Sequence, residues 1–149
     1  MRHHLRTLVL SIGLAAGLTG LISCGTPTVQ TPSPPNSPQT TVATLVKTVA
    51  DTNLAGIRTV ITLRDGGKIT QAAAKTIQDW QAFIATTDKQ IGLILAKSEP
   101  WSDQKREIVV LLGTVTAPAL ATNIDPGAQA VVSQIMTLIA QIRVQVVGG

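Results

Sequence analysis

The sequence predicts an all-α protein, an antiparallel up-down-up-down four-helix bundle that follows a signal peptide and a proline-rich tether. Two observations predict this fold. Apolar residues recur at three- and four-residue spacing in four stretches between residues 40 and 149. Short segments with glycine, proline or capping residues separate these stretches, and short connections make consecutive helices antiparallel neighbours. The 149 residues, 13% of them charged, are enough for one such domain with tails.

The first helix is predicted from about Thr41 to Arg64, and Gly66-Gly67 ends it because glycine is preferred just past a helix. Asn53 falls on the apolar stripe of this helix. It is either a hydrogen-bonded polar residue that fixes the helix register or a contact to a ligand inside the bundle. The apolar stripe consists of Val42, Leu45, Val46, Val49, Ile57, Val60 and Ile61.

The second helix is predicted from Thr70, a typical N-cap residue, to about Lys97. Glu99-Pro100 stops it, because the residue before a proline is pushed out of the helical region. Its apolar stripe consists of Ala73, Ile77, Trp80, Ile84, Ile91 and Ile94, with Phe83 and Leu95 alongside.

The third helix is predicted to start at Ser102 as N-cap, with Asp103 in the first turn, where its charge suits the helix dipole. No charged residue occurs from Ile108 to Ile124, and Pro118 is expected to kink or shorten the helix. Because it is apolar nearly all round, this helix is predicted to be the most buried. The β-branched residues at 108–110 leave a short strand as the alternative.

The fourth helix has the clearest signals. Asp125 is the predicted cap and Pro126 occupies the first helical position, where its missing N–H costs nothing. Its predicted apolar face is Ala128, Val131, Val132, Ile135, Leu138, Ile139, Ile142 and Val146, and a polar stripe follows Gln129, Ser133, Thr137, Gln141 and Gln145. Gln129, Gln141 and Gln145 are the candidate partner-binding face.

The first 24 residues indicate export. Arg2 and Arg6 precede an uncharged apolar run over 7–22, which is typical of a signal peptide in residues 1–23. The run ends in Leu21-Ile22-Ser23-Cys24, which resembles the lipobox of bacterial lipoproteins. The resemblance implies that residues 1–23 are removed, that Cys24 carries diacylglycerol, and that its new amine takes an acyl chain such as palmitate. The alternative is an uncleaved anchor helix with an incidental cysteine.

Residues 24–39 are predicted to be the lipidated cysteine and a linker rich in Pro, Ser and Thr, which favours extended polyproline II structure. At ~3.1 Å per residue, the fifteen residues after Cys24 reach at most about 45 Å. The resemblance places the protein on a cell membrane. Gly25 follows the cysteine, instead of the aspartate associated with inner-membrane retention. In a host with two membranes, the outer membrane, facing the periplasm, is therefore expected.

The chain without residues 1–23 contains few of the side chains on which catalytic sites depend. It contains no His and no Tyr, and its single cysteine is Cys24. Ser-His-Asp and Cys-His arrangements and His- or Cys-based metal sites are therefore excluded, and no cofactor is expected. Ten Lys and Arg against eight Asp and Glu leave a net charge of +2, spread over helix faces, which disfavours nucleic-acid binding.

The sequence therefore favours a lipid-anchored, non-enzymatic module of the bacterial cell envelope that binds an unknown envelope protein or has a structural role. Two alternatives stay open. The bundle is a carrier of an apolar ligand around Trp80 and Phe83, or residues 108–142 insert into a bilayer as a helical hairpin. For the carrier, the mid-helix glycines Gly56, Gly92 and Gly113 indicate either close helix approach or the lip of a cavity.

Overall fold

A computed structural model describes residues 37–148, which form four α-helices and no strand. The helices are α1 (Pro38–Asp65), α2 (Gln71–Leu95), α3 (Trp101–Gly113) and α4 (Pro126–Gly148). They pack together around one core, so the predicted all-α class and the helical bundle are confirmed. The signal peptide, Cys24 and residues 25–36 of the linker lie outside the described residues.

The ends of α1 follow local capping chemistry. The Ser37 hydroxyl accepts a hydrogen bond from the Thr40 backbone N–H at 3.1 Å, and Pro38 takes the first helical position. The helix therefore begins three residues before the predicted Thr41 and includes the last two residues assigned to the linker. Gly66 caps the other end, and Gly67 has a positive φ of 66°, which glycine adopts without strain.

Both α2 and α4 begin as predicted. The Thr70 hydroxyl accepts from the Ala73 backbone N–H at 3.1 Å, and the Asp125 carboxylate accepts from the Gly127 backbone N–H at 2.8 Å. Pro126 is the first residue of α4. Helix α2 ends at Leu95, two residues before the predicted end.

Helix α3 differs from its prediction in both start and length. Its N-cap is Pro100, not Ser102, and no side chain caps the helix. It ends at Gly113, and residues 114–125 run to α4 without regular helix. Pro118 helps to explain why this segment is not helical, since a helix cannot easily continue through a proline or the residue before it. The segment is held by the Trp80 indole N–H, which donates to the Thr116 carbonyl at 2.7 Å.

The prediction that α3 is the most buried helix is wrong. Only Gln104, Ile108 and Leu112 of this helix are buried, while Val110 is 70% exposed. Helix α1 packs against α2 and α4, and the 13-residue α3 packs less extensively against the same two helices. One stripe of α3 therefore points inward, and the remaining apolar residues face outward.

The core lies between the inward faces of the four helices. Its β-branched and aliphatic side chains match the predicted stripes closely, except that Ala74 is buried in place of Ala73, and Phe83 and Ile61 are exposed. Each buried side chain of this size stabilises the fold by roughly 1.5–3 kcal/mol. The largest fully buried apolar residues are Ile77, Ile84, Ile91, Ile108, Leu112, Ile135 and Ile142.

Candidate functional site

The predicted partner face lies on the outside of α4. Gln129 and Gln141 are exposed, while Gln145 is half-buried. Two other members of the same polar stripe, Ser133 and Thr137, line a shallow groove between α4 and α1. The glutamines and the groove therefore share one helix, but none of the three glutamines lines the groove.

That groove is uncharged and has a volume of about 390 Å³. Thr48 and Thr52 of α1 form its other wall. Two of its hydroxyl protons are used within the helices, because Thr48 donates to the Thr44 carbonyl at 3.0 Å and Thr137 donates to the Ser133 carbonyl at 2.9 Å. The oxygens of these two hydroxyls can still accept from a partner, and the Gln134 amide can both donate and accept.

Asn53 is buried at the contact of α1 with α2. Its amide Nδ2 donates to the Gln81 backbone carbonyl at 2.9 Å, so the structure shows the hydrogen-bonded alternative for this residue. Its Oδ1 and both side-chain amide atoms of Gln81 have no partner among the described residues. Gln81 was missed, although it follows Ile77 by four residues on the apolar stripe of α2.

Gly56 allows this close contact between helices. A Cβ at this position would lie 2.7 Å from Val131 Cγ1 and 2.8 Å from Gln81 Nε2. At Gly56, close helix approach is therefore the correct alternative. At Gly92 and Gly113 a Cβ would meet nothing within 4 Å, so neither residue marks a close approach.

The residues predicted for an apolar-ligand carrier do not meet around one cavity. Trp80 is buried and bonded to Thr116, whereas Phe83 is 40% exposed. Neither they nor the three glycines line any cavity or groove described here. The enclosed space in the core has a volume of about 10 Å³, which is about the minimum for one water molecule.

Asp88 lines that small enclosed space. It is 9% exposed and lies among apolar side chains of all four helices. No hydrogen bond or ion pair from residues 37–148 reaches its carboxylate, and burial raises its pKa to about 7. Sequence reasoning assigned most carboxylates to solvent faces or helix ends. The spacing of Asp88 from Ile84 and Ile91 on the apolar stripe would have identified it.

A larger feature is the outward side of α3 with its neighbours on α2 and α4, here called the α3 surface and defined by Leu93, Val109, Val110 and Val147. All four side chains are exposed, and Val147 is exposed at 72%. Two open grooves run along α3, one against α2 and one against the last turns of α4, with volumes of about 560 and 700 Å³. Arg106 and Val110 line both grooves, so they form the ridge between them.

Charges around the α3 surface are balanced. Lys97 pairs with Glu107 at 2.7 Å and with Glu99 at 3.6 Å, and the hydrogen bond to Glu107 raises the pKa of Lys97. Arg106 lies 3.7 Å from Asp103. Lys105, which lines the groove against α4, has no ion pair within the described residues. The groove linings and their ion-pair partners therefore comprise three cations, Lys97, Lys105 and Arg106, and three carboxylates, Glu99, Asp103 and Glu107.

Gln104 connects the start of α1 to this region. Its Oε1 accepts from Gln39 Nε2 at 2.8 Å, and its Nε2 donates to the backbone carbonyls of Lys97 at 2.9 Å and Glu99 at 3.3 Å. Fully buried, it satisfies its amide with three partners. The first turn of α1 therefore lies beside the first turn of α3.

Helix α4 is the one helix within residues 37–148 that is long and apolar enough to cross a membrane. Its 23 residues include a window with mean hydropathy 1.5, of which 33% is buried against the rest of the fold. In the same part of the chain, no group of three or more His, Cys, Asp or Glu residues could hold a metal ion.

No protein-family model, curated protein or solved structure matches the chain.

Proposed function

We propose that the chain is a lipid-anchored, non-enzymatic helical module of a bacterial cell envelope with a binding or structural role. The observation that carries the proposal is the lipobox-like Leu21-Ile22-Ser23-Cys24 at the end of a basic-then-apolar stretch. Diacylglycerol on Cys24 together with an acyl chain on its amine would anchor the chain firmly, because two or more chains are needed for stable attachment. Gly25 favours an outer-membrane position facing the periplasm in a host with two membranes.

The domain at the end of this tether is proposed to be an antiparallel up-down-up-down bundle. Contacts between α1 and α4 support opposite directions, since the start of α4 at Gly127 lies beside Leu63 near the end of α1, and Val131 lies beside Gly56 further back. For α3 and α4, opposite directions are supported by the groove that joins Trp101, at the start of α3, to Val146, near the end of α4.

A binding role fits the side chains that the domain presents. In residues 24–149 there is no His or Tyr to act as a general base or nucleophile. Exposed carboxylates such as Asp51 and Asp79 pair with lysines one helical turn away, at 2.6 Å in each case. The uncharged outer face of α4 with Gln129, Gln141 and Gln145 is proposed to contact an envelope protein.

Two alternatives each have one observation in their favour. The open apolar grooves beside α3 fall within the range of small-ligand sites, roughly 300–1,000 Å³, which favours a carrier. The length and hydropathy of α4 favour insertion of a helical hairpin from residues 108–142. Copurification of lipid tests the first, and leakage of dye from liposomes tests the second.

Intact-mass spectrometry tests the anchor. The full chain is expressed in a bacterium, and the membrane fraction is analysed beside the Cys24→Ser variant. We expect a chain that begins at Cys24 and carries diacylglycerol and an amide-linked acyl chain, and no such species from the variant. An unmodified chain that still begins at Met1 would refute the proposal.

A further inference from the structure

We propose that the α3 surface docks on the lipid bilayer to which Cys24 is attached, so that the bundle lies against the membrane. The inference rests on the proposed lipidation and adds to it the face that meets the lipid. Three observations support the docking: the exposed aliphatic side chains, the position at which the tether joins the domain, and the charge balance at the rim.

The first element is the apolar surface itself. Val110 and Val147, at 70% and 72% exposure, line grooves whose exposed surface is mostly apolar. Clustered exposed apolar side chains with a polar rim are typical of surfaces that another phase or molecule covers. Half-buried Trp101 adds an aromatic side chain to the lining of the groove against α4.

The second element is the length and position of the tether. Twelve residues separate Cys24 from Ser37, so at ~3.1 Å per residue the span is at most about 40 Å. The tether leads into the first turn of α1. The hydrogen bond from Gln39 to Gln104 holds this turn beside the first turn of α3. The surface is therefore confined close to the bilayer, and a short tether raises the effective concentration so far that weak intrinsic affinity suffices.

The third element is the charge at the rim. The carboxylates of Asp103, Glu99 and Glu107 all lie within 4 Å of a cationic side chain. No uncompensated negative charge then opposes approach to an anionic bilayer, and no excess of positive charge draws the surface to one. Docking is therefore expected to depend on apolar burial and to change little with salt or with the anionic lipid fraction.

The experiment uses thiol accessibility at single positions. Lipidated full chains carry Val110→Cys or Val147→Cys, with Leu54→Cys on the outer side of α1 as the matched exposed control. Each protein is placed in vesicles of phosphatidylcholine with or without phosphatidylglycerol and reacted with a water-soluble maleimide. Reference rates come from residues 24–149 with Cys24→Ser and the same substitutions, in solution without vesicles.

We expect the cysteines at positions 110 and 147 to react about ten-fold or more slowly on vesicles, because apolar surroundings raise the thiol pKa and exclude water. The cysteine at position 54 keeps its solution rate. Equal rates at all three positions on a chain whose mass shows the lipid would overturn the docking and leave the anchor standing. Protection that grows with the protein-to-lipid ratio would show a second copy on this surface and would also overturn it. An unmodified Cys24 would overturn both proposals.

Discussion

Replacement of Asp88 by asparagine is expected to change how the stability of the fold depends on pH. The carboxyl group has a pKa near 3.8 in the unfolded chain and about 7 in the fold, because burial among apolar side chains disfavours its charged form. Between these values the unfolded state has released the proton while the folded state retains it. The free energy of unfolding contributed by this group therefore falls as the pH rises from about 4 to 7.

The size of the effect follows from the shift. A difference of about three pKa units corresponds to at most roughly 4 kcal/mol of stability lost between pH 4 and pH 7. That is a large share of the 5–15 kcal/mol that is typical of a small domain. Asparagine is a neutral side chain of the same shape, so Asp88→Asn is expected to match the wild-type chain below pH 4. The variant should exceed it by up to ~4 kcal/mol at pH 8.

Urea unfolding at pH 3.5, 5, 6.5 and 8 measures this, followed by circular dichroism at 222 nm. The matched control is Asp79→Asn on the same helix, whose exposed carboxylate pairs with Lys75 at 2.6 Å. Such a surface ion pair contributes at most about 1 kcal/mol. The difference between the wild-type chain and Asp88→Asn isolates the one group from all other titrations. A difference that stays constant from pH 3.5 to pH 8 would refute the reasoning.

Four further variants have expected outcomes in unfolding measurements. Gly56→Ala should cost about 1–3 kcal/mol, because its Cβ would overlap Val131 Cγ1 and Gln81 Nε2. Gly92→Ala, in open space, should instead gain about 0.5–1 kcal/mol, and the reverse order would contradict the packing. Gln104→Ala should lower stability by about 1–3 kcal/mol, since it removes the three hydrogen bonds of a fully buried side chain. Trp80→Phe should cost about 1 kcal/mol and increase hydrogen exchange in residues 114–125, which it holds through Thr116.

Local signals were sufficient to predict where two of the helices, α2 and α4, begin. Thr70 and Asp125 accept hydrogen bonds from backbone N–H groups two or three residues ahead, and such chemistry is visible in the sequence alone. The extent of α3 was not visible in this way. The uncharged stretch 108–124 predicts burial, but burial depends on which neighbours a helix has, and α3 has only α2 and α4 along one side.

For the buried polar residues, too, the sequence predicts the position but not the partner. Asp88, Gln81 and Gln104 each lie three or four residues from a buried isoleucine of their own helix, so helical spacing alone predicts that they point inward. The contacts between helices are less predictable, because Gln104 bonds to Gln39, 65 residues earlier, and the Gln81 carbonyl accepts from Asn53, 28 residues earlier. One sequence without its fold gives no means of pairing them.

The contrast between the outer faces of the helices bears on what the α3 surface is for. On α1 and α2 the solvent side carries Lys47–Asp51 and Lys75–Asp79 pairs, which lie one helical turn apart and are well hydrated. At Val110 and Val147 the chain instead has β-branched residues, which are poorer helix formers than lysine or glutamate by a few tenths of a kcal/mol. These side chains add nothing to the core, and their exposure to water is unfavourable. Burial of the α3 surface against lipid, as proposed, would remove this exposure.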